Sequence, residues 1–101
     1  MLILGNRVHD VFSVKIQEGA LSVGTTATLV KSATTVLTHR KAFILYNNSA
    51  LPVYLGSSTV TTSSGIPAQP GETIIVGTTE ECTWYGIVSV GTADCRVIEG
   101  Y

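Results

Sequence analysis

The side chains that could carry acid–base catalysis are few and lie far apart in the sequence. His9 precedes Asp10, and His39 stands beside Arg40 and Lys41. Neighbouring residues of a strand point to opposite faces, so His9 and Asp10 would not form a catalytic dyad. A hydrolase would also need a nucleophile that converges with the base. We interpret both histidines as surface residues at strand ends and predict no catalytic residue and no enzymatic activity.

Metal binding has equally little support in the residue pattern. The two cysteines and two histidines lack the close paired spacing of structural zinc sites. Glu80 and Glu81 are adjacent carboxylates without nearby acidic partners, which favours a solvated turn over a calcium loop or a glycosidase pair. The sequence therefore predicts no metal ion and no cofactor.

The spacing of Cys82 and Cys95 bears on whether they form a disulfide. If Trp84–Val90 and Ala93–Glu99 form a hairpin, Cys95 faces Val88, and Cys82 lies about six residues, or roughly 20 Å, further along the strand. A disulfide needs Cα atoms within about 7 Å of each other. This register predicts two buried or half-buried thiols.

Four aromatic residues could build a platform for a sugar ring: Tyr46, Tyr54, Trp84 and Tyr85. In the predicted hairpin Trp84 lies on the same face as Val88, which favours packing in the core. An exposed Trp84 beside Tyr85 or Tyr54 would instead favour a carbohydrate-binding or receptor-binding module.

Short β-branched runs separated by turn residues dominate the rest of the chain. They predict an all-β fold, an antiparallel sandwich or small barrel of about seven to nine short strands with little or no helix. Residues 63–71 contain two prolines and two glycines and are predicted to be an ordered loop or a pair of turns. The first predicted strand is Asp10–Ile16, and Gly19 is expected to interrupt it. The others are Thr26–Val30, Thr34–Thr38, Arg40–Asn47, Pro52–Gly56, Thr59–Thr62, Glu72–Val76 and the two strands of the final hairpin.

Charge is scarce in this chain, and that limits its partners. Charged residues make up 13% of 101 residues, whereas about 25% is usual, and the formal net charge is −1. Such a chain has no basic surface to attract nucleic acid or an anionic membrane. It also has few charges to keep the edges of its sheets apart from other chains. We expect a homo-oligomer, for which a trimer is one arrangement.

The chain opens with a short apolar run, Met1 to Leu4, before Gly5 and Asn6. This run is too short for a signal peptide or a membrane-spanning helix. We expect a soluble product of a cytoplasm that forms one β domain over residues 1–101. Residues 1–9 are either an N-terminal docking arm or an edge strand of that domain.

Two segments resemble a small β module of structural proteins in tailed bacteriophage particles. They read RKAFILYNNSALPVYLGSSTVTTSSGIPAQPG over residues 40–71 and YGIVSVGTADCRVIEG over residues 85–100. The shared pattern is an arginine-led apolar strand ending in Asn, a short strand ending in Gly, a Gly-hydrophobic-Pro and Pro-Gly turn, and a final hairpin. The structural turn residues that match it are Asn47, Gly56, Gly65, Pro67, Pro70 and Gly71.

This resemblance implies a virion component made in the cytoplasm of a bacterial host. A capsid decoration or cement protein is the role we favour, with the major capsid protein or other virion proteins as partners. A neck or tail protein and a carbohydrate- or receptor-binding module remain alternatives. The resemblance covers about the last 60 residues. As interface residues we single out Leu2, Ile3, Leu4, Tyr54 and Tyr101.

Overall fold

The computed structural model describes residues 2–4 and 12–101. In that part of the chain it contains no helix, and therefore none that could cross a membrane. Its strands are β1 (Leu2–Leu4), β2 (Ile16–Val23), β3 (Thr28–Leu29), β4 (Ala42–Asn47), β5 (Val53–Gly56), β6 (Ile66–Ala68), β7 (Thr73–Gly77), β8 (Tyr85–Ile87) and β9 (Ala93–Gly100).

The strands form two sheets that are not closed into a barrel. The five-stranded sheet has the order β1-β7-β4-β9-β2, and the four-stranded sheet has the order β3-β8-β5-β6. Neighbouring strands are antiparallel except β1 and β7, which run parallel. The prediction of an all-β, mainly antiparallel fold is confirmed, and two open sheets fit the sandwich and not the small barrel.

Alternating side chains send one face of each sheet into a shared core. In β9, Ala93, Cys95 and Val97 are fully buried, whereas the intervening Asp94 and Arg96 reach solvent. Burying one large aliphatic or aromatic side chain stabilises a fold by about 1.5–3 kcal/mol. The largest apolar side chains of the core are Phe43, Leu45, Leu55, Ile74, Val23, Val30, Val53, Val76, Val88 and Val97.

The predicted hairpin of Trp84–Val90 and Ala93–Glu99 is wrong. β8 pairs with β3 and β5 in the four-stranded sheet, whereas β9 pairs with β2 and β4 in the five-stranded sheet. Cys95 therefore lies opposite Leu21 and Asn47 and does not face Val88. The chain does turn here, with Gly91 at a φ of +67°, but the turn carries it from one sheet to the other. Alternation buries one face of a strand without specifying the sheet it joins.

The strand predicted over Asp10–Ile16 is also misplaced. Asp10 and Val11 lie outside the described residues, and Phe12–Lys15 are not in a strand. The backbone N–H groups of residues 13–15 instead donate to the carbonyl oxygen of Tyr101, at N···O distances of 2.7–3.2 Å. The strand begins at Ile16 and continues through Gly19, which was expected to end it. Gly19 is required there because a Cβ would clash with the carbonyl oxygen of Ser32.

Three further segments differ from their predicted structure. Residues 34–38 and 59–62 form turns and no strand, because their backbone N–H groups form hydrogen bonds with side chains. The N–H of Leu37 donates to the Glu99 carboxylate, and the N–H of Thr61 donates to the Ser64 hydroxyl. Conversely, the segment 63–71 contains β6, which pairs with β5. Pro67 is tolerated in β6 because this strand lies at the edge of its sheet.

The N-terminal segment contributes an edge strand. The backbone of Leu2–Leu4 pairs with Ile74–Val76 of β7. Of the two alternatives for residues 1–9, an arm or an edge strand, this places Leu2–Leu4 in a strand. Residues 5–9, with His9, lie outside the described part of the chain.

Candidate functional site

A buried ion pair closes one end of the sandwich. The Arg40 Nη1 atom lies 2.8 Å from the Glu99 Oε2 atom, and neither side chain reaches solvent. Glu99 also accepts hydrogen bonds from the N–H and the hydroxyl of Ser32, at 2.7 and 2.6 Å, and from the N–H of Leu37 at 3.2 Å. The carboxylate therefore fixes the segment between β3 and β4 against the end of β9.

Arg40 uses its remaining donors on main-chain carbonyl groups. Nε donates to Thr79, Nη1 also to Val30, and Nη2 to Cys82, at 3.0–3.3 Å. Its guanidinium carbon lies 5.4 Å from the centroid of the Phe43 ring. With its polar atoms already paired and no opening to solvent, this cluster holds the fold together and offers no position for a substrate.

His39 and Glu80 form the other close pair of ionisable side chains near this end. The Nδ1 atom of His39 lies 3.7 Å from Glu80 Oε1, and the same oxygen accepts the His39 N–H. His39 has a φ of +66° and is largely exposed, and its ring packs edge-on against Tyr101. Among the described residues, no three His, Cys, Asp or Glu side chains come together as a metal site.

The two cysteines occupy opposite environments as free thiols. Cys82 is exposed in the turn before β8, and Cys95 is fully buried in β9. Burial raises the pKa of the Cys95 thiol to about 11, and the nearby Asp94 carboxylate adds to the shift. The prediction of two buried or half-buried thiols is therefore correct for Cys95 and wrong for Cys82.

This difference predicts how the thiols react. At about pH 8, a thiol reagent should modify one cysteine per native chain and two per unfolded chain, because the Cys95 thiol is both protonated and inaccessible. A Cys82→Ser variant should show almost no fast reaction. Rapid modification of two thiols in the native wild-type protein would contradict the burial of Cys95. Colorimetric titration of free thiols measures all three cases.

The outer face of the four-stranded sheet carries no charge. None of the residues in its strands is Asp, Glu, Lys, Arg or His. On this face Tyr54 stands between Pro67 and Ile87, and Tyr85 stands between Gly56 and Leu29. We call the surface formed by Leu29, Tyr54, Pro67, Tyr85 and Ile87 the uncharged face. Its side chains are half-buried, apart from the exposed Pro67.

The outer face of the five-stranded sheet is different because it carries charges. Glu18 and Arg96 flank a shallow groove there, and the Arg96 Nη2 atom lies 2.9 Å from Asp94 Oδ2. Hydrogen bonds from Arg96 and from Asn48 hold the pKa of Asp94 below its usual value. Ile44 lies between Ile75 and Ile98 on this face, so an apolar row also crosses it.

The four candidate aromatic residues do not form one platform. Tyr54 and Tyr85 lie on the uncharged face, whereas Tyr46 lies on the outer face of the other sheet. Trp84 is half-buried against the core, with its ring centroid 6.0 Å from that of Phe43. The prediction that Trp84 packs against the core is confirmed.

Asn47 connects four parts of the chain, and sequence reasoning had identified it only as a turn residue. Its Nδ2 donates to the carbonyl oxygens of Leu51 and Ala68, at 2.7 and 2.8 Å, and its Oδ1 accepts the N–H and hydroxyl of Ser49. Its backbone N–H donates to Glu72, and its carbonyl oxygen accepts the N–H of Gly71. Asn47 is fully buried.

The other predicted turn residues lie around β5 and β6. Gly56 ends β5, and Gly65 precedes β6, where a Cβ would approach Tyr54 and the side chain of Val60 to under 3 Å. Pro67 is inside β6 and not in a turn. Pro70 and Gly71 form the turn into β7, with Gly71 at a φ of +79°.

The predicted interface residues are dispersed. Tyr54 is on the uncharged face, Tyr101 lies beside His39, and the backbone of Leu2–Leu4 is at the edge next to β7. The structure therefore does not bring them to one surface. Sequence reasoning missed Tyr85 and Ile87 as neighbours of Tyr54, because it had assigned their strand to the wrong sheet.

Comparisons with protein-family models, with curated proteins and with solved structures found no match for this chain.

Proposed function

We propose that this protein is a non-enzymatic structural component of a tailed bacteriophage particle. The favoured role is a capsid decoration or cement protein that docks on the shell through the uncharged face. The observation that carries this proposal is the absence of any charged residue in the strands beneath a face that presents Tyr54, Tyr85 and Ile87. Tyrosine and apolar side chains are enriched at protein interfaces, and charged residues are depleted at their centres.

Such a protein stabilises a shell by mass action. It binds the assembled lattice and not the separated subunits, so its binding free energy adds to the stability of the assembly. Because many equivalent copies bind one shell, a modest contact at each position is sufficient. A sheet face suits this role better than a cleft, since the partner is itself an extended protein surface.

The alternatives place the protein elsewhere or give it another ligand. A neck or tail protein would use the same kind of contact at a different position on the particle. A carbohydrate- or receptor-binding module would need an exposed aromatic platform, and Trp84 lies against Phe43 instead of beside Tyr54. The aromatic residues therefore give the carbohydrate alternative no specific support.

Sedimentation with particles tests the proposal. Purified protein is mixed with particles of the phage that carries its gene, after the native copies have been stripped from them, and bound protein is quantified in the pellet. We expect saturable binding that Tyr54→Lys or Ile87→Lys weakens at least about tenfold, because each lysine places an unpaired charge inside the contact. Labelled protein on heads and not on tails would distinguish decoration from a neck or tail role.

Tyr46→Lys is the matched control, since it makes the same change on the outer face of the other sheet. It should bind as the wild type does. The proposal fails if the wild-type protein does not sediment with particles, or if all three variants bind equally well.

A further inference from the structure

We propose that β2 is a self-pairing edge at which two copies of this chain join antiparallel into one continuous sheet. The two copies would be related by a two-fold axis, so the product is a dimer. This surface is distinct from the uncharged face, and the inference holds whether or not the protein belongs to a particle.

The edges of the two sheets differ in how they are protected against pairing. β3 has two residues, and β1 has three. β6 has three, including Pro67, which has no N–H to donate. Short strands and proline are the usual protections of an edge. Within the residues that the structure describes, three of the four sheet edges are therefore poor templates for another strand.

β2 lacks these protections. It has eight residues, no proline, and Glu18 as its one charged residue. Within the described part of the chain, β9 is the one strand that pairs with β2. The other side of β2 thus keeps a row of main-chain N–H and C=O groups directed away from the sheet. Such a row is a template for an added strand.

A groove beside β2 leaves room for the side chains of the added strand. Residues 20–22 line one wall and residues 31–34 the other, around a volume of about 630 Å³. Ala20, near the middle of the strand, has a small side chain, so a second backbone can approach closely there. The groove therefore admits an extended chain alongside β2.

The charges beside the edge favour a second copy as the occupant. In an antiparallel pairing centred on Ala20, Glu18 of one copy lies opposite Ser22 of the other. Ser22 and Lys31 line the same groove. Glu18 of each copy therefore approaches Lys31 of the other, and the two-fold axis produces this opposite-charge contact twice. No two like charges of β2 face each other in this register.

The dimer should be weak. Eight residues of strand extend about 26 Å, and a strip of that length buries less than the roughly 1,200 Å² of a typical stable interface. We expect a dissociation constant in the micromolar range. Sedimentation velocity from about 5 to about 500 µM spans that range on both sides.

Exchange of the two charges provides the decisive comparison. Glu18→Lys and Lys31→Glu should each raise the dissociation constant at least about fivefold, since each single change places like charges together. The double variant E18K/K31E should return to within about twofold of the wild type. Glu72→Lys, just before β7, which β4 and β9 separate from β2, is the matched control and should not change dimerisation.

A second measurement does not depend on any variant folding correctly. Amide hydrogen exchange of the wild-type protein should slow in β2 as the concentration rises, and stay constant in β6. A chain that remains monomeric at the highest concentration would overturn the proposal. A dimer insensitive to both single charge changes, or one that the double variant does not restore, would overturn it as well. Particle binding is measured in a separate assay. A protein that does not bind particles can still dimerise through β2, and a protein that does not dimerise can still bind particles.

Discussion

Replacing Glu99 with Gln is expected to lower the free energy of unfolding by about 3–5 kcal/mol, which is the usual effect of removing one partner from a buried ion pair. The substitution leaves the Arg40 guanidinium without its negative partner in a site closed to solvent. The new NH₂ group also faces hydrogen-bond donors in either orientation of the amide. At the Oε1 position it would face the N–H and hydroxyl of Ser32, and at the Oε2 position the N–H of Leu37 and the Arg40 guanidinium. Urea denaturation followed by Trp84 fluorescence measures the change.

The exposed pair of Asp94 and Arg96 provides the control. Asp94→Asn removes a carboxylate from a contact of similar length, 2.9 Å against 2.8 Å, but on the solvent-exposed face, and should change the free energy of unfolding far less than Glu99→Gln does. A double variant, Arg40→Met with Glu99→Met, should lose less stability than the sum of the two single changes, because it leaves no buried charge unpaired. A Glu99→Gln variant as stable as Asp94→Asn would contradict the role assigned to the buried pair.

Replacing Asn47 with Asp should be the next most damaging change, at about 2–4 kcal/mol near neutral pH. The side chain keeps its shape, but a carboxylate oxygen then faces the carbonyl oxygens of Leu51 and Ala68 and loses both donated hydrogen bonds. Protonation of the carboxyl group restores one donor. Because the two carbonyl oxygens disfavour the charged form, the pKa of the introduced carboxyl group in the folded protein lies above the ordinary aspartate value of about 4. The stability difference from the wild type should therefore shrink as the pH falls through that raised pKa toward about 4, and level off below it. Denaturation at a series of pH values measures this difference.

Asn48→Asp is the matched control for Asn47. Asn48 is the next residue in the chain and is exposed, and its amide reaches only Asp94, which is also at the surface. The change should cost less than about 1 kcal/mol. If Asn47→Asp and Asn48→Asp destabilise the protein equally, the buried hydrogen bonds of Asn47 do not hold β4, β5 and β6 together.

The strand content of this protein could be predicted from its sequence because the pattern is local. β-branched alternation identified β4, β5 and β7 to within about two residues, and Gly, Pro and Asn marked the turns between them. The buried pair could also have been anticipated in part. Ala93, Cys95, Val97 and Glu99 share one side of β9, so a carboxylate on the core side of that strand required a buried partner.

Pairing between distant segments could not be predicted from the same pattern. β8 and β9 are neighbours in sequence and carry suitable alternation, yet they belong to different sheets. The competing partners of β9, namely β2 and β4, lie far back in the chain, and no local signal ranks them above β8. The same error is the reason that Tyr85 and Ile87 were not predicted to be neighbours of Tyr54.

The central position of β9 determines when this chain can fold during its synthesis. β9 lies between β2 and β4, so the middle of the larger sheet is filled by residues that the ribosome adds after all its other strands. Until then β2 has no strand to pair with, and β4 has an open side. The nascent chain therefore cannot complete its larger sheet until residues 93–100 leave the exit tunnel, and the apolar side chains that face the missing strand stay open to chaperones until then.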